Sequence, residues 1–296
     1  MKTQVLTILT FAGTLALALA AEPEFFAMDT GTRDTTHQTP EQQVALVQEV
    51  GFAGIAPIYQ KPEMLRETLT ALDQRKLKMF AVYVPLDIES ATPVSPAIRD
   101  VIEQLRGRDA FLWLYVNFPS HRPSDPAGDA KAVPVMREVA DLAKEAGVRV
   151  SLYPHLKNWV ERVEDGARLA KQVDRENFGV TFNLCHWLMV GDTDLDASLR
   201  AALPHLQMVT INGADKGNKE LKACIQPLGS GTYDVGGVLT KLTELGWHGP
   251  IGLQHFGIKG DAKTNLQRSM DTWRVLSREI WPPDTREFKS GNRMVQ

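Results

Sequence analysis

The 296-residue chain has a formal net charge of -3, with 43% hydrophobic and 23% charged residues, an ordinary balance for a soluble globular protein. With no basic excess, nucleic acid is excluded as a partner on electrostatic grounds. The length suits one large core, since a (β/α)₈ barrel typically takes about 250 residues.

At the N-terminus, Lys2 precedes an almost wholly apolar or small run from Val5 to Leu19, and Ala18-Leu19-Ala20 offers a small-x-small cleavage site. Residues 1–20 therefore read as a signal peptide, the apolar run being short for a spanning helix. The expected mature protein is exported, periplasmic or extracellular, with no membrane contact after removal of the leader. Mass spectrometry of the secreted chain should find it beginning at Ala21 or Glu22; an intact Met1 would defeat this reading.

Strand-like apolar runs then alternate with helical patterns. The strand candidates are Phe25–Met28, Gly54–Ile58, Lys78–Pro85, Phe111–Asn117, Arg149–Tyr153, Gly179–Leu184, Gln207–Ile211 and Ile251–Gln254. Most are continuously apolar, as parallel strands covered on both faces should be. Between them, Thr39-Pro40-Glu41-Gln42 and Ser95-Pro96 mark helix starts, and Gly51, Gly107, Gly147 and Gly246 mark helix stops. Eight strands in strict βα alternation predict a single-domain (β/α)₈ TIM barrel over residues 21–281, followed by a mostly polar tail over 282–296.

Active sites of such barrels lie at the C-terminal strand ends. There the sequence delivers Asp29, Tyr83, Asp87, Asn117, Tyr153-Pro154-His155, Asn183-Leu184-Cys185-His186, Asn212-Gly213-Ala214-Asp215 and Gln254-His255. His121 reads as a loop residue, His37 as a polar-loop residue, and His205 and His248 precede strands at the opposite face. His255 should point outward if its neighbour Gln254 points in. His155 and His186 survive as candidates, with Asp215 as a possible proton-transfer partner. No Gly-x-Gly-x-x-Gly, Gly-x-Ser-x-Gly, His-Glu-x-x-His or Cys-x-x-Cys is present. Tyr, Asn and Gln at strands five, six and eight give a paired-carboxylate glycosidase little support. Gly229-Ser230-Gly231 could bind phosphate, but with no basic neighbour in sequence it reads better as a flexible active-site loop. Cys185 is expected to end a strand and Cys224 to lie in a loop after the next one; a bridge between them is geometrically open, but Cys185 is read as a small buried hydrophobe.

These segments, sharpest over Val148–His155, Phe178–His186, Leu206–Asp215 and Leu228–Gly257, resemble the xylose isomerase-like barrels, which include sugar and keto-acid isomerases and ketose 3-epimerases. Members of that family usually show Glu-x-His, Asp-x-x-His and His-x-x-Asp after strands five to seven and a Glu ending strand eight. This chain keeps the spacing with Tyr153-Pro154-His155, Asn183-x-x-His186, Asn212-x-x-Asp215 and Gln254. The resemblance implies proton transfer on a sugar, polyol or keto-sugar, with a small-molecule carbohydrate as partner. It also implies a divalent Mn, Mg, Co or Zn ion where the family ligands are kept. Here the four ligand positions carry Tyr153, Asn183, Asn212 and Gln254, so no cofactor is expected. Those residues and Asp87 become candidates for hydrogen-bonding the substrate, and His155, His186 and Asp215 for catalysis. A non-catalytic sugar-binding barrel and a metal-independent lyase remain as alternatives.

Overall fold

The structure, a computed structural model, describes residues 22–191 and 194–282. The signal-peptide reading and almost all of the expected tail lie outside the described residues.

Among the described residues, nine strand segments form one parallel sheet. They are β1 (Phe25–Met28), β2 (Gly54–Ala56), β3 (Lys78–Met79), β4 (Ala81–Asp87), β5 (Phe111–Asn117), β6 (Arg149–Leu152), β7 (Phe178–Asn183), β8 (Leu206–Ile211) and β9 (Ile251–Leu253). Their order around the sheet is β3-β2-β1-β9-β8-β7-β6-β5-β4. The first and last segments of that order are consecutive pieces of one strand, interrupted at Phe80. Across the join, Phe80 N donates to Ile55 O (2.9 Å) and Tyr83 N to Pro57 O (3.0 Å). The architecture is thus the expected eight-stranded barrel. Strand β1 pairs in parallel with both β2 and β9, Ala27 facing Ile55 on one side and Leu253 on the other.

The helices wrap this sheet in chain order: α1 (Pro40–Val50), α2 (Pro62–Arg75), α3 (Pro96–Gln104), α4 (Asp129–Glu145), α5 (Val163–Val173), α6 (Leu184–Val190), α7 (Leu195–Ala202), α8 (Leu221–Cys224), α9 (Val235–Glu244) and α10 (Ala262–Ile280). The capping signals act as their chemistry requires. Thr39 accepts from Gln42 N while the Gln42 side chain accepts from Thr39 N, and Gly51 ends α1 at φ +99°, where a Cβ would be strained.

Four readings are corrected. The third strand is broken at Phe80 and runs on to Asp87 rather than stopping at Pro85, because Pro85 lies on β4 without interrupting its pairing with β5. The strand read as Gly54–Ile58 ends at Ala56, with Ile58 making an isolated bridge to Tyr83. Cys185 does not end a strand: chain direction changes at Asn183, and the apolar run from Leu184 becomes the buried helix α6. Cys224 lies in the short helix α8, and both cysteines are buried free thiols.

Packing divides the core in two. The larger part lies between sheet and helices, while a second cluster fills the barrel itself: Phe26, Met28, Ala56, Phe80, Ala81, Phe111, Trp113, Tyr153 and Met208. Phe26 stacks on Phe80 with centroids 4.5 Å apart. A Cβ at Gly252 would come 2.5 Å from the Phe26 ring, so glycine in β9 makes room for that aromatic plug. Polar atoms inside are paired: Trp113 Nε1 donates to Thr181 Oγ1 (2.8 Å), which also bonds Ser151 Oγ (2.8 Å). The barrel is solid through its middle, which leaves ligand chemistry to its ends.

Candidate functional site

Side-chain alternation decides what reaches the C-terminal mouth. In β4 and β5 the inward series continues from Ala81 and Trp113 to Tyr83, Pro85 and Asp87 and to Tyr115 and Asn117. Tyr83 and Tyr115 stack at 4.5 Å, and Tyr83 meets Tyr153 edge-on at 4.8 Å. Tyr83 and Tyr115 cap the apolar plug with half-buried faces. Pro85 and Asp87 above them are exposed, and Asp87 accepts from Glu89 N (3.1 Å). Asn158 Nδ2 donates to Asn117 Oδ1 (3.3 Å) across the same rim.

Below the tyrosine pair lies a set of neutral hydrogen-bonding side chains. Gln254 Nε2 donates to Tyr153 Oη (3.1 Å), and Gln254 Oε1 accepts from Thr30 Oγ1 (3.0 Å) and Phe256 N (2.9 Å). Asn183 Oδ1 accepts from Thr210 Oγ1 (2.9 Å) and Cys185 Sγ (3.2 Å). Asn212 Nδ2 donates to Gly213 O (2.8 Å) and Cys224 O (2.6 Å), pinning the loop after β8. All four side chains are buried. Two atoms are left over, Asn183 Nδ2 as a donor and Asn212 Oδ1 as an acceptor, both buried without a partner.

This donor set does not fit a divalent cation. The carbonyl oxygens of Asn183 and Gln254 are each taken twice, and only Asn212 Oδ1 is free among the three amides. Burial holds the Tyr153 phenol well above its ordinary range, so it stays protonated and is a poor ligand. No carboxylate stands at any of the four positions, and hard cations need that charge. Among the described residues, no group of three or more His, Cys, Asp or Glu is placed to hold a metal.

His155 and His186 are brought together, their rings 4.0 Å apart and tilted by 44°. His155 Nδ1 bonds Leu156 O (2.8 Å), which makes that nitrogen the protonated one and leaves Nε2 as an acceptor. His186 Nδ1 faces Leu156 N (3.4 Å), which assigns its proton to Nε2. Burial lowers the pKa of both, and for His186 the neighbouring His155 lowers it further. The pair is therefore neutral near pH 7 and presents one acceptor and one donor.

Asp215 is not joined to either histidine. Its Oδ2 accepts from Gln226 Nε2 (2.8 Å), and its backbone N–H is tied to Ala223 O (2.8 Å). Gln254 points inward and His255 outward as alternation requires, with His255 Nε2 2.9 Å from Ser269 Oγ on α10. Thr30 and Tyr115 also belong to the mouth. Tyr115 was legible two residues beyond the inward Trp113, whereas nothing in the sequence marks Thr30 as the partner of Gln254.

The family described as the xylose isomerase-like TIM barrel matches residues 44–276. No curated protein matches the chain by sequence. Solved structures do match by shape. A D-allulose 3-epimerase from Methylomonas sp. is 15% identical with a TM-score of 0.69, covering 88% of this chain and 100% of its own. A D-psicose 3-epimerase with D-tagatose, from Clostridium cellulolyticum H10, is 14% identical with a TM-score of 0.65, covering 87% and 99%. The IOLI protein with a bound zinc atom is 16% identical with a TM-score of 0.72, covering 88% and 99%. At such identities the likeness establishes the fold alone.

Proposed function

Because the chain belongs to the xylose isomerase-like TIM barrel family, we propose that it recognises a sugar, polyol or keto-sugar at its C-terminal mouth without the metal-assisted proton transfer implied by its relatives. The observation that carries this reading is the set of buried neutral side chains Tyr153, Asn183, Asn212 and Gln254, with the carbonyl oxygens of Asn183 and Gln254 committed to hydrogen bonds. Around it stand groups that suit a polyhydroxylated ligand. Tyr83 and Tyr115 offer aromatic surface, and Asn117, Asn158 and His155 offer donors and acceptors at half-buried positions. The D-tagatose named with one structural relative supports the ligand class. The apolar leader read in the sequence adds that recognition takes place outside the cytoplasm.

The histidine pair supports a second reading, a metal-independent isomerase or epimerase. The acceptor nitrogen of neutral His155 can take a proton from carbon-bound hydrogen on a bound keto-sugar, and His186 Nε2–H can donate to a developing oxyanion. Solvent exchange separates the two. Incubation with D-fructose, D-tagatose and D-allulose in D₂O, followed by NMR, should show binding without deuterium at carbon under the first reading. Incorporation with interconversion establishes the second. In both, His155→Ala and His186→Asn should weaken ligand binding by about tenfold, the loss of one good hydrogen bond. If both variants bind as the wild type does and only melt earlier, the histidines are packing groups and the site is misplaced.

A further inference from the structure

Beside the mouth, the loops after β8 and β9 enclose a cleft of about 360 Å³. It is lined by Lys222, Gln226, Ser230, Phe256 and Lys259 with apolar neighbours, and no acidic residue lines it. Neither lysine makes an ion pair among the described residues, although Lys263 on the adjoining helix is paired with Glu49 and Lys241 with Asp196 and Glu244. Asp215, in the loop after β8, is engaged by Gln226 Nε2.

Ser230 is the second sign. Its Oγ is buried without a hydrogen-bond partner, while its backbone N–H is spent on Pro227 O (2.9 Å). Gly231, at φ +81°, lies against Ala214 so closely that a Cβ would come 2.1 Å from the Ala214 carbonyl. The backbone that presents the serine is therefore fixed. In the sequence, Gly229-Ser230-Gly231 had no basic neighbour; the fold supplies two, from eight residues before it and twenty-nine after. Loops after the last two strands of a (β/α)₈ barrel are a frequent place for phosphate. Two walls of the cleft are exposed apolar side chains, Phe256 at 52% and Leu221 at 43%, which suits an anion carried on a carbon frame.

The cleft adjoins strand ends of the proposed mouth through its walls: Phe256 N bonds Gln254 Oε1, and Gln226 pairs with Gly213, next to Asn212. We infer that this cleft receives an anionic substituent, phosphate or carboxylate, of the sugar bound at the mouth, with Lys222 and Lys259 supplying the charge and Ser230 the hydroxyl donor. The inference rests on the carbohydrate reading above and narrows it to acidic sugars.

Calorimetry on the full chain at low salt, with D-fructose, D-fructose 6-phosphate, D-glucuronate and inorganic phosphate, tests it. A sugar phosphate or D-glucuronate should bind about tenfold or more tightly than D-fructose, with the advantage shrinking in high salt. Which of the two gains identifies the anion. The double variant Lys222→Gln/Lys259→Gln should abolish the advantage and leave D-fructose binding unchanged, and Ser230→Ala should reduce it. Equal affinities for neutral and anionic sugars in the wild type, or an advantage that survives the double variant, overturns the inference while leaving the carbohydrate reading intact. Phosphate binding that the double variant loses, without binding of any sugar, would keep the anion cleft and overturn the carbohydrate reading.

Discussion

Lowering the pH from 7 to 4 should cost the fold several kcal/mol, and His255→Gln should recover a large part of the loss. His255 is 1% exposed, packed against Gly31 and bonded to Ser269, and burial pushes its pKa down from 6.5 to about 3. The unfolded chain takes that proton below about pH 6.5, but the folded one only near 3. Between those values the unfolded state binds more protons, so stability falls as the pH falls, by about 3 kcal/mol at pH 4 from this group alone. His155 and His186, also lowered, act in the same direction. Asp29 opposes them. Burial raises its carboxyl to about 6 despite the Arg33 ion pair, so the folded state holds the extra proton between about 3.8 and 6. Its effect is to stabilise the fold as pH falls through that window. Denaturant titrations at pH 7, 5 and 4 should therefore show a net loss that His255→Gln flattens and Asp29→Asn steepens. Identical pH profiles for wild type and His255→Gln would show that the ring is not held neutral by burial.

A larger effect is expected from restoring family ligands. Tyr153→Glu, Asn183→Asp, Asn212→His and Gln254→Glu, made together, place three carboxylates among buried positions where the wild type has none. Without a counter-ion such charges are penalised by several kcal/mol each, so the quadruple variant should be largely unfolded or strongly destabilised. Mn²⁺ or Zn²⁺ should rescue it, adding about 4 kcal/mol at a thousandfold excess over the dissociation constant. Wild-type stability should be indifferent to the same ions and to chelator. Thermal melts with and without metal, together with elemental analysis, check both arms. A wild-type protein carrying one metal per chain, lost on Asn183→Ala, would show that neutral amides suffice here and would move the function back toward metal-assisted isomerisation.

The barrel was legible because its signals are local and repeated. Each strand is an apolar run bounded by a helix stop and a polar end, and Thr39, Ser95 and Gly51 act within a few residues of themselves. Errors fell where an apolar run serves two structures in succession, as at Phe178–Val190, where strand becomes helix at Leu184 without a change in composition. The site was legible as a set of strand ends, including the inward and outward sense of Gln254 and His255. Its connections were not. Thr30 meets Gln254 across 224 residues, Asp215 turns to Gln226 and away from the histidines, and Ser230 gains its lysines from other parts of two loops. Asp29 was read only as the end of the first strand. Its burial beside Arg33 depends on Ile58, whose backbone N–H it accepts (3.1 Å).

The pairing of β1 with β9 sets an order on folding. The first strand of the described chain must wait for the last, because Phe25–Ala27 lies alongside Ile251–Leu253 and completes the ring only there. Until residue 253 has emerged, β1 and β8 both present an unpaired edge, and such edges invite pairing with another chain. Contacts so distant in sequence form slowly. A nascent chain therefore stays an open sheet for most of its synthesis. The same delay makes any product truncated before Ile251 a two-edged sheet prone to aggregation.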